Sequence, residues 1–308
     1  MIIQTGMRTD IPAFYSDWFA NRLKEGYVYV RNPFHPQSIT KYILNEEVVD
    51  CIGFCTKNAS PMFRYMDLLK GYGQYWFVTI TPYGKDIEPY VPDKHVVLDN
   101  FKELSNIVGK DNIGLRYDPI FLTKKYSADY HLRAFETIVS SLEGYTHTCV
   151  ISFIDLYAKV MKNFPEVKKV TVEEQLYLGK QMIQIAQKYG MVLKTCAEGN
   201  LLKSYGADTD GCMTKEVYEK AIGCRMKFPS ISDNRSTCHC FITADVGAYN
   251  SCMHVCRYCY ANYSKALVQK NYARHDPNSP LLIGHVHEGD TIHTAKQQSW
   301  KQRQLSLF

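Results

Sequence analysis

Short apolar runs alternate, along the first two thirds of the chain, with segments whose apolar residues recur every three or four positions. The runs at 2–5, 48–54, 75–81, 113–117, 149–154 and 191–195 read as buried strands. Between them the spacing predicts helices. Asp10 caps one, with Phe14, Trp18 and Leu23 on its inner face and Gly26 at its end. Another is expected near 62–69. The next starts from Asp99 as cap, turns Leu104, Ile107 and Val108 inward and stops at Gly109. Residues 129–142 would bury Leu132, Phe135, Ile138 and Leu142. Thr171 and Glu174 form a capping box for a helix carrying Leu178, Met182, Ile185 and Tyr189 on one side and ending at Gly190. Residues 27–30 and 39–44 suggest a two-stranded ribbon around Asn32-Pro33.

Strands that alternate with helices imply a parallel sheet joined by right-handed crossovers. The expected fold is therefore α/β. Residues 1–198 should form a full or partial parallel (β/α) barrel, TIM-like, of about six βα units. The texture changes after Cys196. Glycine, aspartate and cysteine crowd residues 199–264, with one short helix near 215–221. This reads as a loop-rich cysteine module that a metal would hold together. Residues 265–308 read as a polar, mobile tail.

Composition narrows the class. A hydrophobic fraction of 45% over 308 residues supports a sizeable core and excludes wholesale disorder. No apolar run nears the ~18 residues that span a bilayer. The opening Met-Ile-Ile-Gln-Thr-Gly has no secretory pattern, so a cytoplasmic protein with no membrane partner is expected. The net charge of +5 permits contact with nucleic acid without demanding it. Most of the eleven cysteines fall between Cys196 and Cys259. In a large intracellular chain such crowding favours metal over disulfides.

The densest group is Cys252-Met-His-Val-Cys256-Arg-Tyr-Cys259. A cubane iron–sulfur cluster normally takes four cysteines, so a triplet leaves one iron open to a non-protein ligand. Zinc is the other candidate, and a closed zinc site needs a fourth ligand from elsewhere. His254 reads as a neighbour of such a centre. Cys196, Cys212, Cys238 and Cys240 are candidates for a second site, either an auxiliary cluster or a zinc. The alternative is that some of these are free thiols, with Cys196 a hydrogen-atom donor, since S–H bonds are weak. Cys51, Cys55, Cys149 and Cys224 read as small core residues. His285, His287 and His293 read as solvated.

In a parallel barrel, functional groups gather at the C-terminal ends of the strands. Here those ends carry Arg8 and Asp10, Lys57 and Asn58, Thr81 and Tyr83, Arg116 and Asp118, Asp155, and Glu198. Any one alone is more simply a helix cap or a loop ion pair. Together they make a polar bowl. Arg8, Lys57 and Arg116 suit a carboxylate or phosphate. Asp118 and Glu198 suit ribose hydroxyls or a sulfonium. The candidates for holding a cofactor are Arg8, Asp10, Lys57 and Asn58; those for acting on substrate are Cys196, Arg116, Asp118 and Glu198.

The last residues, Gln304-Leu305-Ser306-Leu307-Phe308, put an apolar Leu-x-Leu-Phe where a polar tail has no core to fill. They resemble the pentapeptide with which bacterial replication and repair proteins dock on the DNA sliding clamp. That mode uses Gln304 for polar contacts and Leu305, Leu307 and Phe308 as anchors.

The spacing C-x3-C-x2-C, with aromatic Tyr258 before the last cysteine, resembles the signature of radical S-adenosylmethionine enzymes. The resemblance implies a [4Fe-4S] cluster on Cys252, Cys256 and Cys259. It implies S-adenosylmethionine on the open iron with Tyr258 near its adenine, a 5′-deoxyadenosyl radical as product, and a reductant such as flavodoxin or ferredoxin. Arg8-Thr-Asp-Ile-Pro-Ala-Phe, Lys57-Asn58, Thr81-Pro-Tyr-Gly, Arg116-Tyr-Asp-Pro, Cys196-Ala-Glu and the stretch from Asp245 to Asn262 are similar to the domain of unknown function 1848 family, grouped with radical S-adenosylmethionine proteins. One departure stands out. The superfamily places its triplet after the first strand, whereas this triplet follows the sixth, which implies a permuted arrangement. DNA, other nucleic acid, a peptide or a metabolite are the substrates such an enzyme would take. A zinc- or cluster-bearing clamp adaptor without catalysis is the non-enzymatic reading.

Overall fold

The computed structural model describes residues 1–228, 240–241 and 244–302. In chain order the strands are β1 (Ile2–Gln4), β2 (Tyr27–Arg31), β3 (Ser38–Ile43), β4 (Cys51–Thr56), β5 (Gly73–Thr79), β6 (Ile113–Ile120), β7 (Thr148–Phe153), β8 (Val192–Thr195), β9 (Ala244–Asp245) and β10 (Thr291–Thr294). The α-helices are α1 (Ile11–Phe14), α2 (Ser16–Glu25), α3 (Lys94–Val108), α4 (Ala128–Ser141), α5 (Ala158–Asn163), α6 (Val172–Lys188), α7 (Lys215–Ile222) and α8 (Lys265–Tyr272). The fold is mixed α/β around a seven-stranded parallel sheet ordered β8-β7-β6-β5-β4-β1-β9.

All six strands expected from the apolar runs are present, and each successive one joins the same flank of the sheet. They are apolar throughout because helices and loops cover them. Phe54 of β4 stacks on Trp76 of β5 at 3.7 Å, and Phe19 of α2 meets Phe54 edge-on at 6.0 Å. The ribbon also forms, β2 pairing antiparallel with β3. The capping box of α6 is present, Thr171 Oγ1 accepting from Glu174 N and Glu174 accepting from Thr171 N.

The departures have local causes. The helix after Asp10 divides at Tyr15, whose φ of −134° ends α1. The buried Tyr15 hydroxyl donates to Ser251 O at 2.6 Å, so a contact from across the chain sets the break. Helix α3 starts earlier than expected, capped by Asp93 accepting from His95 N; Asp99 lies inside the helix and Ile107 is exposed. Residues Ser60–Leu69 form a 3-10 helix. The segment after residue 265 is more structured than its polarity suggests. It carries α8, and β10 joins the ribbon parallel to β3. Arg31 holds Asp290 through two hydrogen bonds of 2.6 and 2.7 Å, and Ser299 and Trp300 both donate to the buried Asp50. Backbone pairing and ion pairs anchor this stretch together with a few buried apolar residues, Val268, Leu281 and Leu282, too scattered to stand out in a polar run. His285, His287 and His293 are exposed, as expected. Among the described residues no helix is long and apolar enough to cross a membrane.

The seventh strand, β9, is the addition that matters for the site. It pairs with β1, Ile3 opposite Ala244 and Gln4 opposite Asp245. The chain returns across some 240 residues to the free flank of its first strand, and the loop bearing the cysteine triplet follows directly.

Candidate functional site

The ends of β1, β4 and β5 meet the triplet loop in one buried polar network. Asp10, at the N-cap of α1, accepts from Ala13 N at 3.1 Å, Thr56 Oγ1 at 2.7 Å and Lys57 N at 2.7 Å. His254 Nε2 lies 3.0 Å from Oδ2, the oxygen that also accepts from Lys57 N. Asp10 thus ties two strand ends to the triplet, and its acceptor capacity is filled. Asn58 is likewise used within the loops, accepting from Ser60 Oγ at 2.9 Å. Arg8 is committed to Asp245, its Nε donating to Oδ1 at 2.8 Å. Met7 N donates to the second carboxylate oxygen at 2.9 Å. Three of the residues expected to hold a cofactor therefore shape the rim through protein contacts.

Glu88 is the residue that sequence reasoning missed. It lies in the loop after β5, at 1% exposure. It accepts from Thr81 Oγ1 at 2.6 Å, pairs with Lys57 Nζ at 2.8 Å and with Lys94 Nζ, and receives the Tyr258 hydroxyl. Burial works to raise its pKa, but the charges and hydrogen bonds of Lys57 and Lys94 prevail and hold the carboxyl at about 2. Lys57 titrates above its ordinary value: burial opposes this, and Glu88 and the nearby Cys256 outweigh it. Lys94 titrates below its ordinary value because for it burial wins, so Lys57 is the partner the pairing favours. Nothing in the local pattern singles Glu88 out from other loop acids; only the strand order brings it to Tyr258. Tyr83, by contrast, is buried, donating to Pro119 O at 2.8 Å.

The triplet sits on this network. Burial pushes all three thiols above their ordinary range. The charge of Asp10 and of the other two cysteines adds to this at Cys252; Lys57 opposes it at Cys256, and Lys159 and Lys57 at Cys259. Ala261 N donates to Cys259 Sγ at 3.4 Å. Val255, just before Cys256, has φ of 51°, a left-handed conformation that a β-branched side chain adopts only under constraint. Two buried polar atoms on these loops, Thr9 Oγ1 and Asn262 Oδ1, have no hydrogen-bond partner. Such atoms are few in folded proteins; the other two among the described residues, Arg22 Nε and Asn112 Oδ1, lie on α2 and before β6. Among the described residues no group of three or more His, Cys, Asp or Glu is laid out to hold a metal ion.

The ends of β6, β7 and β8 carry a second network. Arg116 makes a forked pair with Asp118, its Nε 3.1 Å from Oδ1, and NH1 donates to Cys212 Sγ at 3.2 Å. The Sγ atoms of Cys212 and Cys196 are 3.7 Å apart, and those of Cys212 and Cys240 are 3.5 Å apart. Hydrogen bonds from Cys196 and Cys240, with the Arg116 charge, hold Cys212 well below the usual thiol range despite burial. Cys238 lies outside the described residues. Glu198 accepts from Phe153 N at 2.8 Å. Burial, with the charges of Asp155, Cys196 and Asp118, pushes its carboxyl up to about 7. Three of the four expected actors, Cys196, Arg116 and Asp118, are thus joined through Cys212, and Glu198 feels the charge of two of them.

Cys55 links the halves. It was expected in the core with Cys51, Cys149 and Cys224. Cys51 and Cys149 are buried there, whereas Cys224 is partly exposed in the turn after α7. Cys55 is only partly buried and feels Arg116, Asp118 and Asp10. Lys57 likewise feels both Asp118 and Cys256. The two networks therefore share one end of the sheet.

The family described as "Domain of unknown function (DUF1848)" matches residues 2–261. The chain belongs to the DUF1848 family. The match takes in β1 through the triplet, so both networks fall inside the DUF1848 region. No curated protein matches the chain. One solved structure, a candidate α-L-fucosidase from Bacteroides thetaiotaomicron, is similar at 15% identity and a TM-score of 0.29. That likeness covers 52% of this DUF1848 chain and 59% of the other, and is too loose to carry an argument.

Proposed function

We propose that this protein is an iron–sulfur enzyme of the radical S-adenosylmethionine kind, built on an open parallel (β/α) barrel. The observation that carries the reading is the pairing of β9 with β1. The triplet comes late in sequence, yet β9 delivers it beside the C-terminal end of the first strand. That is where the superfamily places its cysteines, and the permutation is one of chain order. The barrel is supported by the strand order, which adds each βα unit to the same flank without the reversal of a doubly wound sheet.

The residues present fit the group. A four-iron cluster takes each thiolate at its own corner, so its three cysteines need not converge as around a single ion. Cys252, Cys256 and Cys259 would hold it; Lys57 and Lys159 would offset its charge, and Ala261 N already reaches a sulfur. When bound, the cluster supplies an electron to the sulfonium of S-adenosylmethionine. The chain's own part is binding and exclusion. Tyr258, fixed by Glu88, offers a ring beside Cys256, with Lys57 Nζ 5.7 Å from the ring centre. Thr9 and Asn262 present unpaired polar atoms to a ligand. Arg116, Asp118 and Glu198 form the wall that faces the substrate. Glu198 holds a proton near neutral pH and can move it.

Anaerobically purified protein should carry iron and sulfide and cleave S-adenosylmethionine under reduction, and C256A should lose both properties. A colourless protein with one tightly held zinc would sink the proposal in favour of an adaptor. The terminal pentapeptide, Gln304 to Phe308, lies outside the described residues. We carry sliding-clamp docking, and DNA as substrate, as part of the proposal. Deleting residues 304–308 should abolish clamp binding by the full chain.

A further inference from the structure

The proposed function leaves one group of reactive side chains unused: Cys196, Cys212 and Cys240. They come from three separate segments, the end of β8, the loop before α7 and the loop before β9. Their sulfurs touch, at 3.7 Å between Cys196 and Cys212 and 3.5 Å between Cys212 and Cys240. Cys212 N and Met213 N both donate to Cys240 Sγ at 3.3 Å, so the backbone of one cysteine lies against the sulfur of the other. Arg116 NH1 donates to Cys212 Sγ at 3.2 Å. Cys212 is buried; Cys240 and Cys196 are partly exposed.

We propose that Cys212 and Cys240 form a thiol–disulfide centre that reduces disulfide substrates. Cys240, which is partly exposed, attacks one sulfur of an incoming R–S–S–R; that S–S bond breaks and the first R–S⁻ leaves with the Cys240 proton. Cys212, its sulfur 3.5 Å away, then attacks the Cys240 sulfur, breaking the mixed disulfide, and the second R–S⁻ leaves with the Cys212 proton. Two thiols are oxidised to one disulfide, and one substrate disulfide is reduced to two thiols. The short sulfur separations place the resolving step within reach without a chain rearrangement.

The centre also reports on the substrate wall. Arg116 is shared between Asp118 and the Cys212 sulfur. Forming the disulfide ties up the sulfur that Arg116 donates to and keeps the pair with Asp118.

The test uses the full reduced chain under nitrogen, with oxidised glutathione as the disulfide probe, followed by alkylation and peptide mass mapping. The expected product is a Cys212–Cys240 disulfide with release of two glutathiones per chain. C240S should stop after no more than one, and C212S should stop at a mixed disulfide on Cys240 with one glutathione released. The same disulfide should form in C256A, so failure of the cluster proposal leaves this one standing. Three outcomes overturn the inference: preferential reaction at Cys224, a disulfide pairing that omits Cys212, or a stoichiometric zinc that must be removed before these sulfurs react.

Discussion

Glu88 offers the sharpest test of the buried network, through the substitution Glu88→Gln. The carboxylate would titrate near 4.5 in an open chain and is held at about 2 by Lys57 and Lys94. At about 1.4 kcal/mol per pKa unit, that difference corresponds to about 3 kcal/mol of stability at neutral pH. Glutamine keeps the shape and can still accept from Thr81 and Tyr258, but it removes the charge. The mostly buried Lys57 ammonium and the partly exposed one of Lys94 then lose the charge they share, a loss at the lower end of about 3–5 kcal/mol. The sign with pH follows from a depressed carboxyl. The contribution is complete above pH 4.5 and disappears as pH falls through about 2. Urea unfolding of both proteins should therefore show a gap of about 3 kcal/mol at pH 7 that is unchanged at pH 5.5 and narrows below pH 4.5. A gap under about 1 kcal/mol at pH 7 would refute the reasoning, because a carboxylate so paired and so dry cannot be that cheap to discharge. So would a gap that stays constant down to pH 2.5.

Glu198 should behave in the opposite sense. Its carboxyl is raised to about 7, so ionising it costs the folded state stability as pH rises from the ordinary carboxyl range through 7. E198Q should accordingly be more stable than the parent at pH 8 and no more stable at pH 4, in thermal melts at the two pH values. Gly6 lies against β4 so closely that a Cβ would fall 2.3 Å from Cys55 O. G6A should therefore destabilise by about 1–3 kcal/mol, as overpacking does, and reduce iron content, both measurable on one preparation. Because burial keeps the triplet thiols protonated, iron loading should release protons into a weakly buffered solution at pH 7, and C256A should release fewer. Absence of proton release on loading would count against Cys252, Cys256 and Cys259 as the ligands.

Periodicity found the large sheet because its strands are apolar on both faces and its helices carry clear inner stripes. Thr171 and Glu174 were legible for the same reason: a cap is a local bargain between adjacent residues. Two-residue β9 was not legible, since nothing inside Ala244-Asp245 distinguishes a strand from a loop; only the vacant flank of β1 makes it one. Tyr15 breaks its helix for a bond to Ser251, a partner 236 positions away. The site followed the same division. Arg116, Asp118 and Glu198 could be read from their places at strand ends. Glu88 could not, because its importance comes from Lys57, Lys94 and Tyr258, which sequence separates and topology assembles. Arg8 and Asp10 were found, but what they bind is the protein itself.

The short β9 ladder has a consequence for how the molecule is made. A ribosome releases the first strand long before the segment that will lie beside it, so one flank of the nascent sheet stays open until nearly the whole polypeptide has emerged. Closing so distant a contact is entropically slow, and an uncovered strand invites pairing with other chains. The cluster loading proposed above would thereby be restricted to finished molecules: a chain stalled or cleaved before residue 244 keeps most of its sheet but lacks β9 and the cysteine triplet, and should be met in cells chiefly as aggregate.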